Sequence, residues 1–196
     1  ILNFLADPTL SLLDHTGTVL ATNDNWKSTQ QVQIQATGLA PSNDFEAAIL
    51  ATLSPGAYTA FLQGKGATTG IGLAEIYDVD PSVNARVTNL SARGFVGSGN
   101  DMLIGGIIVG GGPAGSVQRV LIRALGPSLT ANGVIGALVN PTLDLYNAEG
   151  GLLQSNDDFS SNRDAGVIAG FGLGVMNGYE SGLYFEGAPG NFTAVM

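Results

Sequence analysis

The chain has 196 residues, 44% of them apolar and only 12% charged, which is enough to bury the core of one or two domains and excludes a disordered segment. Seven basic against sixteen acidic residues give a net charge of −9, which excludes a phosphate-neutralising nucleic-acid surface and disfavours an anionic membrane. There is no cysteine, so disulfide scaffolds, thiolate metal sites and cysteine nucleophiles are excluded.

Short runs of Val, Ile, Thr and aromatic residues, punctuated by Gly, Asn, Asp and Pro, predict an all-β chain. From the N-terminus, residues 9–14 (TLSLLD) and 18–22 (TVLAT) flank His15-Thr16-Gly17 and predict a hairpin. Residues 32–36 (VQIQA) alternate, with Val32, Ile34 and Ala36 on one face, and predict a strand. Residues 47–53 (AAILATL) read as a helical turn or a strand, and their later counterpart at 181–187 favours the strand. Residues 57–64 and 70–78 add two more strands, and 85–95, 101–110 and 117–125 a further three before Gly126-Pro127 breaks the chain. The longest apolar stretch, 102–112, is far short of the roughly 20 residues of a spanning helix. The chain opens on Ile1 with neither an initiator Met nor a secretory leader, and so reads as processed, excised or lacking its true start.

Residues 5–26 (LADPTLSLLDHTGTVLATNDNW) return as 138–159 (LVNPTLDLYNAEGGLLQSNDDF). Pro8 and Pro141, Gly17 and Gly150, Asn23 and Asn156, Asp24 and Asp157, and Trp26 and Phe159 all lie 133 positions apart. Glu46 and Glu180 lie 134 apart, as do PGAYTA (55–60) and PGNFTA (189–194), so one residue is inserted in between. A fixed period of this kind is the signature of a repeat architecture. The fold expected is a tandem of β-sandwich or jelly-roll-like repeats: a first copy over 1–82, a connecting β-module over 83–137, and a second copy over 138–196. The second copy stops at Met196, the counterpart of Leu62, and lacks the strand that follows in the first. Its sheet is therefore expected to have an unpaired edge after NFTAVM (191–196), unless something outside the chain fills it.

The run DPTLSLLDHTGTVLATNDNW with LSPGAYTAFLQGKGATTGIGLAEIYDVD resembles repeats in large secreted proteins of environmental bacteria, and RVTNLSARGFVGSGNDMLIGGIIVGG with VLIRALGPSL fits the same repeat. The sandwich portion is similar, more loosely, to the bacterial pre-peptidase C-terminal domain, with its D-x-x-G turn, Asn/Ser-Asp doublet and late Gly-x-Tyr strand. The resemblance implies an exported, modular and non-enzymatic role, some of those domains binding calcium or matrix polymers.

Several chemistries are drawn by letter. GGGPAG (110–115) matches G-x-G-x-x-G, but a pyrophosphate loop needs a helix behind it, and SVQRVLIRAL reads as a strand. His15 is the only histidine, sits in a turn that the second copy writes with Ala148, and has no G-x-S-x-G partner motif. Trp26 and Phe159 read as core plugs rather than sugar platforms. The strongest site is a pair of loops, Asn23-Asp24-Asn25 and Asn156-Asp157-Asp158, whose oxygen donors suit Ca2+, with 77–80 (YDVD) as a weaker one. Against it stands the tight turn that Asn and Asp form by bonding their own backbone. Isopeptide chemistry would have to use Lys27 or Lys65.

The expected function is therefore a non-catalytic extracellular or cell-surface structural repeat, a subunit or segment of a fibre, filament or array joined by strand-edge complementation. Its partners would be copies of itself or neighbouring repeats. The alternative is an accessory module of a larger secreted protein, binding polysaccharide or matrix for adhesion.

Overall fold

The computed structural model describes residues 3–80, 82, 87–110, 115–174 and 177–196, which form two compact units, Ile1–Leu90 and Ser91–Met196. Strands in three sheets dominate, with short helices between them, so the chain is all-β in class. Among the described residues no helix is long and apolar enough to cross a membrane.

In the first unit, β1 (Pro8–Asp14) and β2 (Val19–Asn23) form the expected hairpin. The Asp14 carboxylate closes its turn by accepting the N–H groups of Thr16 at 2.8 Å and Thr18 at 3.0 Å. Gly17 takes a φ of +85°, which glycine adopts without strain. After α1 (Gln31–Ala36) the chain returns as β3 (Tyr58–Gly64), giving the order β2-β1-β3.

The second unit contains β4 (Ile104–Val109), β5 (Gln118–Ala124), β6 (Leu143–Asn147), β7 (Leu152–Asn156), α2 (Ala165–Gly170), β8 (Ser181–Gly187) and β9 (Gly190–Val195). One sheet runs β4-β9-β6-β7, and β5 pairs with β8 in another. Side chains from both sheets share one core: Ala124, Leu143, Leu145, Leu183 and Ala194, with Ile107, Ile122, Phe185, Phe192 and Met196 against it. The rings of Phe185 and Phe192 lie 4.8 Å apart at 57°.

The registers of the two units correspond. Leu10 faces Asn23 and Leu12 faces Ala21, with a bulge after Leu12; Leu143 faces Asn156 and Leu145 faces Gln154, with a bulge after Leu145. Leu12 also faces Ala60 across β3, as Leu145 faces Ala194 across β9. Each unit has one deeply buried helix residue, Ile34 at 4% exposure and Ile168 at 0%, 134 positions apart.

Several sequence expectations need correction. Residues 32–36 are helical, not extended: Ile34 is buried while Val32 is 75% exposed, so the apparent alternation does not divide an inside from an outside. Residues 70–78 form no ladder beyond a single bridge from Ile71 to Phe4. Residues 87–95 of the expected 85–95 strand are irregular, and 85–86 lie outside the described residues. Residues 47–53 carry no strand pairing, although their counterpart β8 does.

The largest correction concerns the second copy's edge. β9 is paired on both sides, by β6 and by β4, with Ile104 opposite Val195 and Ile107 opposite Phe192. Leu103 and Met196 extend that ladder by exchanging backbone bonds of 2.9 and 3.1 Å. The connecting segment supplies the missing neighbour, so no partner from outside is needed there. The open edge lies in the first unit, where among the described residues β3 pairs only with β1.

Candidate functional site

The two Asn-Asp corners are built alike. Asn23 is 5% exposed. Its amide nitrogen donates to the carbonyl of Asn25 at 3.1 Å, and its oxygen accepts the N–H of Ala48 at 3.0 Å. Asn156 repeats both contacts, donating to the carbonyl of Asp158 at 3.1 Å and accepting the N–H of Gly182 at 3.0 Å. The backbone N–H of Trp26 donates to the carbonyl of Glu46, and that of Phe159 to the carbonyl of Glu180. Each asparagine thus clips the end of a hairpin strand to the segment that follows the helix. An amide side chain suits this because one planar group offers both a donor and an acceptor.

The acidic residues of the corners differ between copies. Asp24 Oδ2 accepts from the Lys65 ammonium at 2.5 Å, and Asp7 stands 3.6 Å from the same nitrogen. The hydrogen bond from Lys65 to Asp24 is the main cause of the raised pKa of Lys65, outweighing burial. The other lysine, Lys27, is ion-paired with Asp44. Buried oxygens without a hydrogen-bond partner remain on Asp7, Asp24 and Asn25 in the first corner, and on Gln154 and Asp158 in the second. Calcium takes six to eight oxygen ligands, and in the first corner the positive charge is already provided by Lys65. Asn23 and Asn156 are spent as clips, and Asp157 is exposed. Among the described residues no three Asp, Glu or His side chains converge in ion-holding geometry.

Sequence reading missed the most constrained acidic group. Glu180 is fully buried. Its Oε1 accepts the N–H of Gly126 at 3.0 Å, the N–H of Ser128 at 3.0 Å, and the Ser128 hydroxyl. Burial pushes its pKa up, but the Ser128 hydroxyl and the Ser128, Gly126 and Asn177 N–H groups together bring it below the ordinary glutamate value. Gly126 is required at this docking point because a Cβ there would meet the Leu138 carbonyl oxygen at 2.1 Å. The only sequence signal was that Glu46 and Glu180 recur in register. Glu46 itself is exposed and, among the described residues, its side chain receives only the N–H of Asn43, at 3.3 Å.

Apolar strand positions are less buried in the first unit than in the second. Leu143, Leu145, Leu183 and Ala194 are buried. Their counterparts Leu10, Leu12 and Ile49 are half-buried, and Ala60 is exposed. The amides of Ala48 and Leu50 are bound by the side chains of Asn23 and Gln30. Those of Ile49, Ala51 and Leu53 have no partner among the described residues. Phe61, on β3, is 42% exposed and Leu53 43%.

His15 is exposed in its turn. Residues 111–114 of GGGPAG lie outside the described residues, and the element after the loop is the strand β5 rather than a helix. Trp26 is 4% exposed, its indole N–H donating to the Asn43 carbonyl at 3.2 Å, so it is a core plug. Phe159 is half-buried. A surface depression of about 340 Å³ between the β6–β7 turn and the β8–β9 turn is lined by Leu153, Phe185, Pro189 and Phe192, and Glu149 is its one ionisable residue. No known family matches the chain, and neither does any curated protein or solved structure.

Proposed function

We propose that the chain is a non-catalytic structural segment of an extracellular repeat fibre or array, in which tandem jelly-roll-like copies are completed by strand pairing at their edges. The observation that supports this reading is the pairing of β9. The last strand of the second copy is flanked by β6 of that copy and by β4 of the segment that precedes it. The equivalent strand of the first copy, β3, has β1 on one side and no neighbour on the other among the described residues. An exposed edge with apolar side chains is a template for another chain, and repetition of a head-to-tail contact gives an open fibre rather than a closed ring. The net charge of −9 keeps such a subunit soluble until its edges meet.

The test is the mass of the purified protein by light scattering over a concentration series, with electron microscopy of the most concentrated samples. The mass is expected to rise with concentration and ordered fibres to form. Phe61→Lys, which places a charge on the open edge, is expected to reduce both. A protein that stays monomeric at every concentration and forms no fibres contradicts the proposal.

A further inference from the structure

We infer that the first unit is an acceptor for a two-strand segment of the β4–β5 kind. This deepens the reading above and rests on it, naming the partner by its chemistry: a Gly- and Ile-rich strand, a second strand alternating apolar with polar residues, and a Gly-Pro-Ser turn that offers two backbone N–H groups to a carboxylate.

Three separate features of the first unit match what that segment covers in the second. The first is the edge of β3. Shifting the β4–β9 register by the repeat distance of 134 sets Ile104-like, Gly105-like and Ile107-like residues opposite Phe61, Ala60 and Tyr58. The second is 47–53. The β5–β8 register sets Val120-like, Ile122-like and Ala124-like residues opposite Ala51, Ile49 and Ala47. One side of 47–53 is already tied down by Asn23 and Gln30, and the N–H groups of Ile49, Ala51 and Leu53 have no partner among the described residues. The third is Glu46, a carboxylate at the position where Glu180 grips the Gly126 and Ser128 amides. Its counterpart of that turn is absent among the described residues of the first unit, and Glu46 lies exposed beside the pair of sites the strands would fill.

Residues 1–196 carry two acceptors and one segment of this kind, and that segment is already seated on β8 and β9. The occupant of the first unit is therefore an equivalent segment from outside residues 1–196, in the same order of strands; copies of this chain, whose own segment is seated, meet at the β3 edge only by the simple edge pairing that the light-scattering experiment reads. Closing it would bury Leu10, Leu12, Ile49 and Ala60 as Leu143, Leu145, Leu183 and Ala194 are buried.

The experiment uses the full chain and a synthetic peptide of residues 102–129 of this protein, with a scrambled peptide of the same composition as control. Hydrogen exchange is followed in the two copies. The peptide is expected to slow exchange on the order of tenfold or more at 47–53 and 58–64, to leave 181–195 unchanged, and to bind about tenfold more weakly to Glu46→Ala, a surface change that does not disturb folding. No protection at 47–64, equal protection by the scrambled peptide, or protection confined to 181–195 overturns the inference. The result separates from that of the fibre experiment: peptide capture without polymers leaves the acceptor standing and removes the fibre, while polymers without capture do the reverse.

Discussion

Glu180→Ala is expected to destabilise the second unit by about 3 kcal/mol or more, and Glu46→Ala to change the first by no more than about 0.5 kcal/mol. The residues occupy the same place in the repeat, so the contrast comes from their surroundings. Removing the Glu180 carboxylate strands the buried N–H of Gly126, at about 1–3 kcal/mol when left without an acceptor, and the half-buried N–H of Ser128 at the lower end of that range. Glutamine keeps an acceptor oxygen for both and loses only the charge, so Glu180→Gln should cost roughly half as much. The pH dependence has a defined sign. The folded-state pKa of Glu180 is lowered, so its stabilisation is complete above the ordinary glutamate value of 4.5 and fades as pH falls through the lower folded value. Urea unfolding followed by circular dichroism should show this acid-side loss in the native protein and a weaker one in Glu180→Gln. Trp26, the only tryptophan, reports the first unit separately by its fluorescence.

Leu145→Ala and Leu12→Ala form the second matched pair. Leu145 is 1% exposed in the core formed by β4, β5, β6, β8 and β9, and its truncation should cost about 2–5 kcal/mol through lost transfer energy and the cavity left behind. Leu12 faces Ala60 in the same register but is only half-buried, and its truncation should cost no more than about half of that. Equal losses in the two variants, measured by the same unfolding experiment, would mean that the first core is as closed as the second.

Much of this organisation was legible in the sequence because turns and repeats are local. The hairpins at Gly17 and Gly150, the strands β4 and β5, and the alignment of Asn23 with Asn156 all follow from short-range chemistry or from counting. Pairing was less legible. The letters of 47–53 and 181–187 were read as the same element, yet only the second forms a ladder, because a strand exists only where another strand receives its amides. VQIQA misled because two-residue alternation over five positions cannot be told from one buried residue on a helix turn, and only Ile34 is buried there. The metal reading singled out Asn and Asp by type. The fold uses two of those asparagines as clips and sets a lysine against the first aspartate, a partner 41 positions away that no local pattern announces. Glu180 escaped notice because its partners, Gly126 and Ser128, lie in a segment that first reads as a break in the chain.

Hydrogen exchange on the unmodified protein, resolved to single amides by NMR, tests most directly whether the two copies are one design with and without its covering strands. The amides of Leu183 and Phe185, turned toward β5, are expected to exchange orders of magnitude more slowly than those of Ile49 and Ala51. The amides of Ala48 and Gly182, both held by an asparagine side chain, should differ much less. Protection of Ile49 and Ala51 equal to that of Leu183 and Phe185 would show that the first copy is already closed, and would contradict both the open edge and the acceptor built on it.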